Sequence, residues 1–397
     1  MLHSQLRIVT TGLIAQYPLG GVAWDYLQYA IGLKQLGHDV YYIEDTGQWP
    51  YDPSQGGVSD GCANNVEFLS RLMARFGLQD RWAYKFPWQS RWYGMERTQR
   101  EEVLRSADLL LNVSGSFSQL RDYDRLPRLV FIDSDPVFTQ VKIARGQRDF
   151  KAFVDAHDVH FTFGESMGEA VPDTGHRWIP TRQPVVLDEW SGQNAQRSVF
   201  TTIMNWSSYK PVEYSGTRYE QKDVEFMRFV HLPEMVAPAT LELALNAVGK
   251  FSKAPLWRLR QSGWAVVDPA EVCPDPESYR RYIQSSMAEW SVAKGGYVIG
   301  PSGWFSCRSA CYLAAGRPVV LQDTGFSKVL PVGRGILAFS NQEEAAFMIG
   351  EVTRNYRLHA EAASAIASSY FDCRQVLSRM IEVSLSSSQE DSVEARC

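Results

Sequence analysis

Apolar and polar residues alternate in two different periods along the first 180 residues. The run LRIVTTGLI (6–14) is apolar and β-rich, VAWDYLQYAIGLKQLG (22–37) has helical spacing and ends at a glycine, and HDVYYIED (38–45) is a second strand. Further strands are predicted at ADLLLNVSG (107–115), RLVFIDSD (128–135) and DVHFTFGES (158–166). Strands that are apolar nearly throughout and alternate with helices predict a parallel sheet covered on both faces.

A second alternating series follows a polar stretch without periodicity. It begins with the strand SVFTTIMNW (198–206) and includes a helix at PESYRRYIQSSMAEW (276–290), a strand at GGYVIG (295–300) and a strand at RPVVLQ (317–322). The second half is therefore predicted to be another doubly wound α/β domain. The predicted organisation is an N-terminal domain at 1–180, a linker at 181–197, a C-terminal domain at 198–370, a helix at 371–385 that crosses back to the first domain, and a flexible tail at 386–397.

The composition narrows the classes of function. A chain of 397 residues with 45% apolar content is too long for one core, so two domains are expected. The formal net charge of -5 and the lack of a Lys/Arg block argue against a nucleic acid partner. No run reaches the roughly 18 apolar residues that span a bilayer, and the six cysteines lack CxxC spacing. The sequence thus predicts a cytoplasmic chain with reduced thiols, no transmembrane segment and no bound metal.

Ligands of open parallel sheets lie outside the carboxyl ends of the strands, so the loops after the strands carry the candidate site. In the first such loop, Gly20 and Gly21 allow close backbone approach at a helix N-terminus, where unpaired N–H groups favour an anionic or polar ligand. Glu44 and Asp45 end the second strand where a dinucleotide-binding fold places its ribose-binding acid. The GxGxxG pattern is incomplete, which argues against a nicotinamide or flavin cofactor.

The segment PSGWFSCRSACYLAAGRPVVLQDTGF (301–326) combines a small-residue turn, a helix and a strand. Its helix mouth offers backbone N–H groups, hydroxyls and a positive dipole end, which suit a diphosphate, and Arg308 adds a guanidinium. The candidate residues here are Ser302, Gly303, Trp304, Ser306 and Ser309 in the turn and helix, and Gln322, Asp323 and Thr324 in the loop after the next strand. The alternatives are a Ser302 N-cap, a core Trp304, a surface Arg308 and a simple Asp-Thr-Gly turn.

Two segments resemble glycosyltransferases of the GT-B fold. LGGVAWDYLQYAIGLKQLGHDVYYIED (19–45) resembles their first glycine loop, helix and second strand, and GWFSCRSACYLAAGRPVVLQDTGF (303–326) resembles their donor-binding turn, helix, strand and sugar-contacting loop. The resemblance implies two Rossmann-like domains facing a crevice. It places the diphosphate of a nucleotide sugar on the C-terminal domain and the acceptor, a small molecule or a glycan, mostly on the N-terminal one.

The resemblance also implies roles for single residues. Ser302, Gly303, Trp304 and Ser306 would face the diphosphate, and Gln322, Asp323 and Thr324 would meet the transferred sugar. Asn205, Trp206, Lys210 and Lys294 are candidates to flank the donor, with a solvated surface position as the alternative for each lysine. The Glu-x7-Glu pattern of many retaining members would fall on Gly303 and Cys311 and is absent, and Ser309 replaces the glutamate that often holds the ribose.

Transfer from such a donor requires stabilisation of the leaving diphosphate and, for inversion, a base on the acceptor hydroxyl. The first role is assigned to the helix mouth, without a metal or other cofactor, and the second to Asp25, which follows the glycine loop. A helix N-terminus stabilises a carboxylate as the anion, so the alternative for Asp25 is a cap. Asp133 and Asp135 are the next candidates, and would also be the metal ligands if one were needed. The acceptor-side loop is predicted to comprise Gly20, Gly21 and Trp24.

Two other functions fit the same residues. A nucleotide-sugar epimerase of this fold needs no separate acceptor, and a degenerate binding protein keeps the fold without the missing glutamates. The nucleobase, the sugar, the acceptor, the stereochemistry and the oligomeric state stay open at this point.

Overall fold

The strands of the first half pair mainly into one sheet. The computed structural model describes residues 5–192, 195–247 and 253–394. The strands of the first half are β1 (Arg7–Thr10), β2 (Asp39–Glu44), β3 (Tyr51–Asp52), β4 (Gly57–Val58), β5 (Trp82–Phe86), β6 (Arg91–Gly94), β7 (Leu109–Val113), β8 (Arg128–Asp133), β9 (Val159–Thr162) and β10 (Trp178–Pro180). Strands β3 and β4 form a separate pair, and the others follow the order β10-β9-β8-β7-β1-β2-β5-β6. Neighbours in this sheet are parallel except β5 and β6.

A second sheet forms from the strands of the second half. These strands are β11 (Val199–Asn205), β12 (Val212–Tyr214), β13 (Thr217–Tyr219), β14 (Thr240–Asn246), β15 (Ala265–Val267), β16 (Ala288–Ser291), β17 (Val319–Gln322) and β18 (Ile336–Phe339). Strands β12 and β13 form an antiparallel hairpin. The others form a parallel sheet in the order β15-β14-β11-β16-β17-β18.

Helices connect the strands in both halves. Those of the first half are α1 (Gly20–Gln35), α2 (Ala63–Arg75), α3 (Arg97–Ser106), α4 (Phe138–Ala144), α5 (Arg148–Asp155) and α6 (Leu187–Trp190). Those of the second half are α7 (Lys222–Met227), α8 (Leu232–Val236), α9 (Leu256–Gln261), α10 (Pro269–Val272), α11 (Pro276–Ser285), α12 (Gly295–Ile299), α13 (Cys307–Ala314), α14 (Gln342–Arg354), α15 (Tyr356–Ile366) and α16 (Cys373–Glu394). Among the described helices, none combines the length and apolar character needed to cross a lipid bilayer.

The predicted doubly wound architecture is confirmed. In each sheet the first parallel strand of the chain lies inside, the second and third lie on one side of it, and the fourth and later parallel strands lie on the other, as in Rossmann folds. The direction of winding therefore reverses between β1 and β7, and again between β11 and β16. Ligand crevices of such sheets lie at these reversal points.

The prediction of a strand at 295–300 is wrong. Gly295–Ile299 form α12, and the strand β16 lies earlier, at Ala288–Ser291, where the sequence predicted the end of a helix. All residues of β16 are buried, and Glu289 is among them because its carboxylate pairs with Arg308. This buried ion pair interrupts the apolar pattern on which strand prediction depends.

Helices of the second half cover α1. A Cβ atom on Gly20 would lie 2.4 Å from the carbonyl oxygen of Asp275, directly before α11. At the other end of α1, a Cβ atom on Gly32 would lie 2.6 Å from Leu377 of α16. The two glycines thus permit close helix packing, which joins the two halves of the chain.

The segments predicted as linker and tail are in part helical. Within the linker, Trp190 of α6 is fully buried, and its indole Nε1 donates to Gln28 Oε1 of α1 at 3.1 Å. Residues 193–194 lie outside the described residues. The helix predicted at 371–385 is observed as α16 and continues to Glu394, past the predicted boundary at 386, while residues 395–397 lie outside the described residues.

Candidate active site

A pocket lies where α13 begins, beside the carboxyl ends of β16 and β17. Its lining includes Ser291 of β16 and Ser306, Arg308 and Ser309 around the start of α13. The hydroxyl of Ser306, the N-cap residue, makes no capping hydrogen bond. The hydroxyl of Ser309 is buried and has no partner among the described residues. The helix mouth therefore offers backbone N–H groups and hydroxyls to a ligand in the pocket.

Arg308 is held beneath this pocket by three hydrogen bonds. Its Nε donates to Glu289 Oε1 at 2.6 Å, Nη1 to the carbonyl oxygen of Ile203 at 2.7 Å, and Nη2 to Ser291 Oγ at 2.8 Å. The alternative of a surface position for Arg308 is wrong, because its side chain is only 11% exposed. Three of the five guanidinium N–H groups are engaged, so the charge is fixed at the pocket by the fold.

Lys222 is a cation that the sequence reasoning missed. Burial, with the nearby charges of Arg308 and Lys294, holds the pKa of its ammonium well below the usual range. Within the described chain its Nζ has neither a hydrogen-bond nor an ion-pair partner. Lys222 begins α7, where the helix dipole disfavours a positive charge, and this unfavourable position is the signal that sequence reasoning had available.

Asp25 of α1 lies close enough to Arg308 for the charge of the guanidinium to act on its carboxyl. It is the sixth residue of α1, beyond the first turn, so the expected stabilisation of its anion by the helix N-terminus is weak. Burial raises the pKa of this carboxyl to about 7, against an opposing effect of the Arg308 charge. Among the described residues the carboxylate has no hydrogen-bond partner, so the alternative of a helix cap is wrong. Asp25 in turn raises the pKa of the Cys307 thiol, after burial, which places it near the mouth of α13.

Lys294 joins the two halves of the chain at the crevice. Its Nζ lies 2.9 Å from Asp135 Oδ1, in the loop after β8, and 2.9 Å from the hydroxyl of Tyr209. Tyr209 also donates to Asp135 Oδ2 at 2.6 Å. The alternative of a solvated surface position for Lys294 is wrong, because the ammonium forms a cross-crevice ion pair.

Ser302 and Gly303 do not line the pocket, contrary to expectation. The carbonyl oxygen of Ser302 accepts a hydrogen bond from Ser166 N at 2.7 Å, across the crevice. Gly303 has φ +83°, and a Cβ atom there would lie 2.8 Å from the same nitrogen. The glycine is therefore required for close contact between the two halves rather than for approach to a ligand. Trp304 does line the pocket, but one face of its ring stacks on Tyr297 at 4.2 Å.

The side chains of the loop after β17 bond mainly to the protein. Gln322 donates to Glu225 Oε2 at 2.8 Å and accepts from Ala293 N at 3.0 Å. Asp323 accepts from Gly325 N at 2.8 Å, as in the simple turn considered above, and Thr324 donates to the Trp304 carbonyl. Gln322 and Thr324 still border the pocket, so their contact with a sugar stays a prediction.

The acceptor-side loop is not where it was predicted. Gly20 and Gly21 face Tyr279 of α11, and Trp24 is buried with its indole Nε1 donating to Pro276 O at 2.8 Å. All three residues pack α1 against the second half of the chain and leave little surface for an acceptor. The reason is that the helix begins directly at Gly20, so these residues belong to a helix interface rather than to a loop.

The candidates after β11 separate into core and edge positions. Trp206 is 3% exposed, and its ring packs 5.5 Å from Phe226 in the core of the second half, so it does not flank a ligand. Asn205 is exposed at the strand end and accepts from Asn246 Nδ2 at 3.0 Å. Lys210 is exposed in the following loop, and its contact with a donor stays a prediction.

Asp133 serves the fold of its own loop. Its carboxylate accepts from Thr139 Oγ1 at 2.7 Å and from Gln140 Nε2 and Thr162 Oγ1 at 3.0 Å. These donors fix the turn from β8 into α4. In residues 5–192, 195–247 and 253–394, no group of three or more His, Cys, Asp or Glu side chains is arranged to hold a metal ion.

Solved structures share this arrangement of two sheets. The crystal structure of Anabaena Alr3699/HepE in complex with UDP-glucose has a TM-score of 0.59 and 12% sequence identity, over 96% of this chain and 100% of that chain. The fold is GT-B. An alpha-glucosyltransferase in complex with UDP and a 13-mer DNA is similar at TM-score 0.57 and 11% identity, over 96% and 100% of the two chains. AviGT4, a glycosyltransferase involved in avilamycin A biosynthesis, is similar at TM-score 0.50 and 14% identity, over 96% and 97%.

The likeness is one of structure and not of sequence. No protein-family model matches this sequence, and no curated protein matches it. The expected resemblance to the GT-B fold is confirmed by the structural comparison, while the roles of the single residues stay predictions.

Proposed function

We propose that this GT-B protein is a glycosyltransferase that moves a sugar from a nucleoside diphosphate sugar to an acceptor hydroxyl. The proposal is carried by one observation: the helix mouth of α13 carries a fixed guanidinium, that of Arg308, whose charge acts on Asp25, a carboxylate without a hydrogen-bond partner among the described residues. The solved structures of the same fold that hold UDP or UDP-glucose support a nucleotide-sugar donor.

The donor diphosphate binds at the mouth of α13 in this proposal. The N–H groups of the first helical turn and the free hydroxyls of Ser306 and Ser309 supply hydrogen bonds, as helix N-termini do for other phosphates. Lys222 and Arg308 supply positive charge. An anion bound here would raise the low pKa of Lys222 and so regain the free energy that its burial costs. These groups stabilise the negative charge that develops on the leaving diphosphate, without a metal ion.

Asp25 accepts the proton of the acceptor hydroxyl. A general base is most effective when its pKa lies near the working pH, and burial raises the pKa of Asp25 to about 7. Its carboxylate has no competing donor in the described chain, so it is available to an incoming hydroxyl. The charge of Arg308 keeps part of the carboxyl ionised and links the base to the donor side of the crevice.

A thermal-shift screen against UDP, GDP, ADP, CDP and dTDP tests the donor assignment. A matching nucleotide at a hundred times its Kd would stabilise the fold by about 2.7 kcal/mol, and the others would leave Tm unchanged. The matching nucleotide sugars are then incubated with an acceptor panel, and the release of nucleoside diphosphate is followed with and without acceptor. Failure of all five nucleotides to raise Tm would contradict the proposal. Turnover of the donor alone into an epimer would replace transfer with epimerisation.

A further inference from the structure

Two exposed tryptophans stand side by side on the N-terminal half of the molecule. Trp49 is 40% exposed and Trp88 is 58% exposed. The ring of Trp49 lies 6.0 Å from that of Trp88 at 36°, and 5.5 Å from that of Phe86 at 84°. We call Trp49, Phe86 and Trp88 the aromatic platform. Adjacent exposed indoles are costly to leave in water, and a cluster of them marks a binding surface.

The backbone after Trp88 is strained. Gln89 and Ser90 have φ of 57° and 51°, in the left-handed region that residues other than glycine rarely adopt. Such conformations persist only where the surrounding structure requires them. The side chain of Trp88 itself is mostly exposed, so packing of its ring into a core does not explain the strain. The strained turn directly follows a ring that lies beside Trp49.

A hydrogen bond links the aromatic platform to the loop before α1. Gln48, directly before Trp49, accepts from Gln16 Nε2 at 3.0 Å. Gln16 lies in the loop between β1 and α1, the helix that carries Asp25. The other side-chain atom of this glutamine, Gln16 Oε1, is buried and has no partner among the described residues. An acceptor atom of this kind is suited to a ligand hydroxyl.

The groove beside the platform is electrically neutral. Phe86 also lines this groove, which runs between α2 and β6 and includes Val66, Tyr93 and the charged pair Glu67 and Arg71. These two charges lie 3.8 Å apart and offset each other. An anionic lipid surface is recognised by clusters of unpaired basic residues, whereas stacking faces with uncharged polar groups suit a neutral sugar chain.

We propose that the aromatic platform and its groove bind a neutral oligosaccharide, as the part of the acceptor remote from the reacting hydroxyl. The proposal rests on the proposed glycosyl transfer and names its acceptor class. The sugar rings stack their C–H faces on Trp49 and Trp88, and hydroxyls nearer the crevice donate to Gln16 Oε1. The chain end then enters the crevice towards Asp25. No covalent step occurs at the platform.

The test measures binding without any donor, so its result is independent of the donor assignment. Calorimetry of the full chain is carried out with maltohexaose, isomaltohexaose, cellohexaose, laminarihexaose and chitohexaose, each beside its monosaccharide. We expect at least one hexasaccharide to bind and its monosaccharide to bind far more weakly. The double variant Trp49→Ala/Trp88→Ala should weaken that binding at least about tenfold, because tryptophans are among the interface side chains whose loss weakens binding most.

Trp257→Ala is the matched control. Trp257 is 71% exposed on α9 of the other half, so its loss should leave saccharide binding unchanged. Trp257→Ala should keep the wild-type Tm, since its ring is largely in water, whereas the double variant should lower Tm, because more than half of Trp49 is buried. Equal saccharide affinity of the native chain and the double variant, or no saccharide binding by the native chain, would overturn the proposal.

Co-sedimentation with phosphatidylcholine/phosphatidylglycerol vesicles is the second experiment. Vesicle binding that depends on Trp49 and Trp88, without saccharide binding, would replace the sugar chain with a lipid surface.

Discussion

The two walls of the crevice carry opposite charges. The wall of the second half holds Lys222, Arg308 and Lys294. The charges of Arg308 and Lys294 each lower the pKa of the Lys222 ammonium. The first half holds two carboxyl groups whose pKa values desolvation raises to about 7, those of the half-buried Asp25 and the fully buried Glu44. A cation with no partner suits an anionic ligand, and a carboxylate with a raised pKa suits proton transfer. The contrast therefore matches the two tasks of the proposed reaction.

The two carboxyl groups with a raised pKa, Asp25 and Glu44, differ in their hydrogen-bond partners. Glu44 accepts hydrogen bonds from Ala15 N at 2.9 Å, from Gln16 N at 2.6 Å and from the hydroxyl of Tyr42 at 2.7 Å. These bonds hold the loop between β1 and α1 in place. Asp25 has no such bonds in the described chain. Burial alone thus does not identify the base, and the absence of donors around Asp25 separates it from a structural acid.

The largest effect is expected from Asp25→Asn, which removes the proton acceptor from the acidic wall. Single-turnover transfer should fall by about 10²–10⁴-fold with little change in donor affinity, the usual contribution of a general base. In the wild type the rate should rise as pH increases through about 7, because the ionised carboxylate is the active form. Near-wild-type transfer by this variant would eliminate Asp25 as the general base. Asp135→Asn would then be measured in the same way.

Stability gives an independent reading of the same variant. A carboxyl whose pKa is higher in the folded state binds more protons there, so its contribution to stability falls as pH rises from the unfolded value towards 7. Asp25→Asn should therefore raise Tm at pH 8 relative to wild type, and should change it little at pH 4. An unchanged Tm difference across this range would contradict the raised pKa.

Glu289→Gln probes the anchoring of charge on the cationic wall. The substitution keeps the shape of the side chain but leaves the guanidinium of Arg308 without its buried counter-ion. Loss of one partner of such a pair costs about 3–5 kcal/mol of unfolding free energy. Chemical denaturation measures the loss, and Glu101→Gln, which breaks an exposed pair with Arg97, is the control and should leave the midpoint unchanged. A similar result for both variants would mean that the Arg308 pair is not buried in solution.

Lys222→Met should weaken the binding of the nucleoside diphosphate that the thermal screen identifies. The loss of one charge-assisted contact corresponds to about 1.5–3 kcal/mol, or roughly 10–150-fold in Kd. Calorimetry measures it, with Lys253→Met, an exposed lysine, as the control. Because the ammonium has no partner among the described residues, the unliganded variant should be at least as stable as wild type. Unchanged affinity would remove Lys222 from the donor site.

The smallest effect is expected from chelation. Treatment with EDTA should leave transfer unchanged, since the helix mouth and the cations supply the charge that a metal would otherwise provide. Abolition of activity by EDTA, with recovery on addition of manganese, would reverse this expectation. Asp135, with Asp133 behind it, would then be tested as a metal ligand by Asp135→Asn.

Local sequence alone predicted most of the strands and helices and the segments on which the candidate site is proposed. Continuous apolar runs predicted β1, β2 and β7, and the glycine that follows the long helical pattern marked the end of α1. Asp25 was nominated from the resemblance to GT-B glycosyltransferases, whereas the rule that ligands lie at strand ends led to the start of α13. These features follow from periods and turns within a few residues, which the chain specifies by itself.

Tertiary structure decided which of these residues face the crevice. The glycines at 20, 21 and 303 read as ligand-binding positions, yet they are occupied by contacts between the two halves, which no single-segment pattern shows. The pKa of Asp25 and the role of Lys222 depend on burial and on charges that lie far away in the sequence. The strand that contains Glu289 was missed because Arg308, nineteen residues later, makes its burial possible. Hydrophobic period and helix or strand propensity are local properties of the sequence, whereas desolvation and ion pairing are properties of the packed chain. The sequence therefore indicated the edge of each sheet at which a ligand would bind. The packing selected the residues that face that edge.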